Sequence, residues 1–65
     1  MQLIVNGERK DIAAARIEAL LNELEYDGAH FVVAVNYQVV QRARWGETEL
    51  KDGDKVEILT PRQGG

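Results

Sequence analysis

The spacing of apolar positions changes along the chain, and each change predicts an element. Leu3-Ile4-Val5 is a β-branched-rich run followed directly by Asn6-Gly7. Asn-Gly supplies the two positive φ angles of a type I′ hairpin turn, so a first strand should turn there into a return strand over 8–12. Over 13–24 the period lengthens. Ile17, Leu20, Leu21 and Leu24 fall at i, i+3, i+4 and i+7, one face of a helix, with Arg16, Glu18, Asn22 and Glu23 on the other. Asp11 is the only nearby side chain of capping type. Asp27-Gly28 is expected to end the segment, with Gly28 taking the left-handed conformation. Phe31-Val32-Val33-Ala34-Val35 is a nearly continuous apolar run and predicts a strand buried on one face and partly covered on the other. Asn36-Tyr37 predicts a turn, and Gln38-Val39-Val40 a short return strand. Residues 42–48, around Trp45-Gly46, predict irregular structure. Asp52-Gly53-Asp54 marks a further turn before a last strand over 55–60.

The order is therefore hairpin, helix, strand, short strand, strand. Placing the last strand beside the first gives a mixed sheet of four to five strands with one helix across one face, the β-grasp form of the α+β class. Alternation then turns Leu3, Val5, Val33, Val35, Val56 and Ile58 towards the helix. It leaves Ile4, Val32, Ala34 and Leu59 on the other face, as an apolar patch suited to docking a partner.

Composition narrows the possible functions. Sixty-five residues make one domain with a small core. The absence of cysteine excludes disulfides, thiolate metal sites and a cysteine nucleophile within the chain. Net charge is -3 with acids and bases interleaved, which argues against a nucleic-acid partner. No apolar run approaches the ~20 residues of a membrane helix, and the N-terminus lacks the basic region of a signal peptide, so a cytoplasmic location and a monomeric state are expected. His30, the one histidine, is expected to be a surface or structural residue and Trp45 to cap the edge of the core. Asp52 and Asp54 are expected to form their turn rather than hold a metal. Arg42 and Arg44 are expected to be solvated.

The chemistry concentrates at the far end. Pro61 cannot donate to a sheet ladder and marks the end of the last strand. The domain is therefore expected over 1–60, and residues 61–65 form a tail, Pro61-Arg62-Gln63-Gly64-Gly65. Gly-Gly has no Cβ and can thread a narrow slot at almost any backbone angle. With Gly65 as the chain end, its α-carboxylate is the candidate working group, and Arg62, Gln63 and Gly64 are the residues that thread.

Taken together, these segments resemble the ubiquitin-like sulfur carriers, most closely the ThiS family of thiamine biosynthesis. Met1-Gln2-Leu3-Ile4-Val5-Asn6-Gly7-Glu8 resembles the family's opening hairpin. Val33-Ala34-Val35-Asn36 resembles its central strand and turn, and Val39-Val40 with 42–45 the segment that ends in Trp. Leu50-Lys51-Asp52-Gly53-Asp54-Lys55-Val56-Glu57-Ile58 and the closing Gly64-Gly65 complete the likeness, which covers essentially the whole chain. Gln41 stands where the family often has proline, and Ala13-Ala14-Ala15 is shorter and less polar than the family's loop before the helix.

The resemblance implies a mechanism. A terminal carboxylate has a pKa of about 3.3–3.7 and is ionised at neutral pH, where it is a poor acyl electrophile. The chain has no glycine-rich phosphate loop with which to activate it. The resemblance implies a partner enzyme of the ubiquitin-activating type, which uses ATP and magnesium to adenylate Gly65. A persulfide donor would then convert Gly65 to a thiocarboxylate, and a thiazole synthase would receive the sulfur. On this reading the chain binds no cofactor and is a carrier acted on by enzymes. Two alternatives stand beside it: the small sulfur-carrier subunit of a molybdopterin synthase, and a ubiquitin-like modifier or interaction module.

Overall fold

The structure, a computed structural model, describes residues 1–26 and 31–59. Among these residues, strand β1 spans Gln2–Val5, β2 Glu8–Asp11, β3 Val32–Val35, β4 Gln38–Val40 and β5 Lys55–Leu59, with one helix, α1, at Ile17–Glu23 and a single 3₁₀ turn at Arg42–Arg44. The sheet order is β2-β1-β5-β3-β4. The last strand thus lies at the centre, with a hairpin on either side. It runs parallel to β1 and antiparallel to β3.

Both hairpin turns form where the sequence places them. Asn6 and Gly7 have φ of 51° and 83°, and Asn36 and Tyr37 have φ of 53° and 72°. These are the paired positive angles of the two-residue turns whose twist matches that of the flanking strands. The third turn uses Gly53 at φ 90°. Its two aspartates form the turn, as expected. Asp54 Oδ2 accepts the Lys51 N–H at 2.8 Å, and Asp52 Oδ1 accepts the Gln2 N–H at 2.6 Å, tying the turn to β1.

The core lies between the sheet and α1. Leu3, Ile17, Leu20, Val33 and Val56 are fully buried, and Val5, Leu21 and Ile58 nearly so. Leu24 and Val35 pack against this cluster half-buried. Ile12, Trp45 and Leu50 complete it from the loops. Trp45 closes the core's edge, and its indole N–H donates to the Val40 carbonyl at 3.0 Å.

The helix is shorter than its apolar period suggests. The sequence predicts a helix over 13–24, but 13–16 runs outside it, because tertiary partners take the backbone groups there. The Ala13 and Ala14 amides donate to the Glu23 carboxylate at 3.1 and 2.9 Å. The Ala15 carbonyl accepts the Leu50 N–H at 2.8 Å, and Arg16 is extended and bridged to Glu49. Three alanines favour a helix by only a few tenths of a kcal/mol each over ordinary residues, less than these bonds contribute together. Asp11 does not cap the helix. Its N-cap position is Arg16, without a side-chain cap, and the Trp45 carbonyl takes the Glu18 N–H at 3.2 Å instead.

The helix also ends before the expected Asp27-Gly28, which lies outside the described residues. Glu25 adopts φ 65°. The Glu25 N–H donates to Asn22 at 3.1 Å and the Tyr26 N–H to Leu21 at 2.9 Å. These are the two bonds of a Schellman motif, here with glutamate in the position that glycine usually takes.

Candidate functional site

The tail residues Arg62, Gln63, Gly64 and Gly65 lie outside the described residues, as does His30. The body that delivers the tail is described up to Leu59. Because β5 is central, its last described residue, Leu59, lies in the middle of the sheet rather than at an edge.

On the face away from α1, Val32 and Leu59 are paired directly across β3 and β5. They are 40% and 58% exposed, so this pair is open to solvent at the end of β5 from which the tail continues. Ala34, one pair further along this face, is half-buried opposite Glu57. Ile4 is on the same face, and its strand does neighbour β5, but it pairs with Lys55 at the other end of that strand. Four strand positions, about 13 Å, separate it from Leu59 along the sheet. The proposed docking residues thus divide into a Val32–Leu59–Ala34 group and an isolated, half-buried Ile4.

The structure adds Val39 to the first group. It is 68% exposed and pairs with Ala34 across the second hairpin. Sequence reasoning left it out, although the two-residue Asn36-Tyr37 turn fixes the register and so places Val39 opposite Ala34. On this face the β1–β2 side is polar instead, with Arg9 opposite Ile4 and Asp11 opposite Gln2. Arg42 and Arg44 are exposed on the 3₁₀ turn.

Among the described residues, no group of three or more Asp, Glu, His or Cys side chains is arranged to hold a metal ion. No described helix is long and apolar enough to cross a membrane.

A five-stranded mixed sheet with parallel first and last strands and one helix across one face defines the β-grasp, or ubiquitin-like, class. Within that class the likeness is specific. The ThiS family model matches residues 3–65. A sulfur carrier protein ThiS from Escherichia coli is 30% identical over the full length of both chains. A crystal structure of the thiamine biosynthesis protein ThiS from Geobacter metallireducens superposes with a TM-score of 0.85 at 35% identity, again covering all of both chains. A thiazole synthase from Paramagnetospirillum magneticum is 36% identical across the whole of this chain, which spans 20% of that longer protein. The chain belongs to the ThiS family.

Proposed function

We propose that this chain carries sulfur on the carboxylate of Gly65 for thiazole formation in thiamine biosynthesis, as a cytoplasmic co-substrate of partner enzymes. The observation that carries this reading is the full-length likeness to a ThiS sulfur carrier, which extends to the closing Gly64-Gly65. The fold is consistent with it, since a central strand leads to the tail and an exposed apolar pair sits at that strand's end.

The chemistry follows from the carboxylate. An adenylating enzyme with ATP and magnesium joins the Gly65 carboxylate oxygen to the α-phosphorus and releases pyrophosphate. Sulfur from a persulfide donor then attacks the acyl carbon, and AMP leaves with the bonding pair. Reductive cleavage of the acyl disulfide by a thiol leaves a thiocarboxylate. Arg62, Gln63 and Gly64 thread the tail into the partner, and the absence of side chains at the two glycines keeps that path open. Val32, Ala34 and Leu59, with Ile4 more remotely, form the docking face. The thiazole synthase relative supports a thiazole synthase as the sulfur acceptor, because a segment similar to this chain lies within its own polypeptide.

The test is intact mass after incubation with a ThiS-type adenylating enzyme, magnesium ATP and a persulfide donor. The expected product is heavier by the difference between sulfur and oxygen, with the change located at Gly65. Deleting Gly65 should abolish the product and leave the melting temperature unaltered, since the deletion withdraws the carboxylate by about 3.3–3.6 Å. An unchanged mass with an enzyme that thiocarboxylates another carrier would overturn the reading.

A further inference from the structure

Strand β5 is longer than its parallel neighbour. The β1–β5 ladder advances in steps of two: the Ile4 N–H donates to the Asp54 carbonyl and the Asn6 N–H to the Val56 carbonyl, each at 2.9 Å. At the next step, β1 would have to offer a carbonyl from position 6 and an amide from position 8. Instead the chain has turned away at Asn6-Gly7 into β2. Both missing bonds are made by one side chain. Asn6 Oδ1 accepts the Ile58 N–H at 2.8 Å, and Asn6 Nδ2 donates to the Ile58 carbonyl at 3.3 Å. The Asn6 amide thus acts as one further strand residue, holding β5 one position before its last described residue, Leu59.

The other hairpin has a counterpart at the opposite end. Asn36 Oδ1 accepts the Lys55 N–H at 3.1 Å, and the Asn36 N–H donates to the Lys55 carbonyl at 2.7 Å. Each turn asparagine combines a positive φ with a bond to the backbone of β5. Only Asn6 does so at the end from which the tail continues.

We propose that Asn6 is a positioning residue for the reaction of the tail. By clasping Ile58, it holds the end of β5 in the sheet and so fixes the point from which the tail sets out towards the partner's nucleotide site. The proposal rests on the carrier reading above. On this proposal Asn6 acts through its bonds to β5. Reacting groups must be held in near-attack geometry, and a misplacement of about 1 Å set far from the chemistry can lower the rate by about 10²-fold.

The two asparagines provide an internal control. Glycine tolerates positive φ, so Asn6→Gly and Asn36→Gly each keep the turn and remove only the amide. Hydrogen exchange reads each clasp separately. In Asn6→Gly the Ile58 amide should lose protection while Lys55 keeps it, and in Asn36→Gly the reverse should hold. Adenylation is then followed by pyrophosphate release as the carrier concentration is varied. For Asn6→Gly, kcat should fall about tenfold with KM within about twofold of wild type, because the docking face is untouched. Asn36→Gly should leave both constants within about twofold. Asn6→Asp keeps the acceptor for Ile58 and should recover amide protection and kcat together.

Equal effects of the two glycine variants on kcat would reduce Asn6 to a stability role and overturn the proposal. So would a change confined to KM. Loss of Ile58 protection with kcat unchanged would overturn it while leaving the carrier reading intact. A wild-type chain that is not adenylated would sink the carrier reading and the proposal with it.

Discussion

The two hairpins flanking β5 are built on one plan and have diverged in what they expose. Each turns on two residues with positive φ, and each begins its turn with an asparagine that bonds β5. Their outer strands differ. β2 reads Glu8-Arg9-Lys10-Asp11, and charges of this kind discourage an exposed edge from pairing with another chain. β4 is only three residues long, Gln38-Val39-Val40, and uncharged, with Val39 exposed, Val40 half-buried and the Val40 carbonyl accepting the Trp45 indole N–H. The charged hairpin thus closes one side of the sheet, while the apolar one extends the open patch of Val32, Ala34 and Leu59. Their second turn residues differ in the same sense. Gly7 occupies its left-handed position without strain. Tyr37 occupies the equivalent one with a side chain that is 77% exposed and whose ring lies 5.8 Å from Lys55 Nζ.

The largest effect should come from the helix side chain that packs beneath the sheet. Leu20→Ala should cost about 2–5 kcal/mol, a large share of a small domain's stability, measured by urea unfolding. A midpoint unchanged by this substitution would remove the shared core on which both hairpins rest.

Next in size is the functional contrast between the two halves of the open face. Leu59→Glu, in the apolar half, should keep the fold and raise the carrier's KM for adenylation about tenfold, equivalent to about 1.4 kcal/mol. Arg9→Glu, in the charged half, should leave KM near its original value. Equal shifts from the two would merge the halves into one surface.

A smaller effect separates the two turns. Gly7→Ala places a Cβ at φ 83° and should cost about 1 kcal/mol, seen as a lower melting temperature. Tyr37→Gly relieves the same strain and should be neutral to slightly stabilising, the gain being offset by the lost Lys55 contact. If Tyr37→Gly destabilised as much as Gly7→Ala, the tyrosine would have to be counted as a structural part of its turn.

The smallest effect sharpens the description of the apolar hairpin's exit. Gln41 has φ −68° and ψ 148°, the angles of proline, and follows a strand residue. Gln41→Pro should raise stability by about 0.4–1 kcal/mol by restricting the unfolded chain. A loss in the melting curve would show that the Gln41 N–H makes a bond the native state needs.

How much of this was legible in the sequence depends on the range of the interaction. The Asn6-Gly7 turn, the alternation along β3 and β5 and the leucine face of α1 were readable, because turn chemistry and side-chain periodicity act within a few residues. The same alternation, with the register fixed by a two-residue turn, already contained Val39. The helix boundaries were not readable. The alanines at 13–15 have high helix propensity, yet Glu23, Leu50 and Glu49 claim the backbone groups of 13–16. Glu25 took the left-handed position although a glycine stood three residues further on. The division of the outer apolar residues was equally hidden, because it depends on which residue of β5 faces Ile4.

By itself, the sequence determined the kind of elements, their order, the face each strand turns to the core and the closing Gly64-Gly65, all carried by local backbone preference and apolar spacing. Tertiary structure alone decided where α1 starts and stops, which side chains gather on the open face, and the clasp of Asn6 on Ile58. The physical reason is distance along the chain. Asn6 and Ile58 are 52 residues apart, and an amide has no preference for a partner so remote until the sheet brings β1 and β5 together.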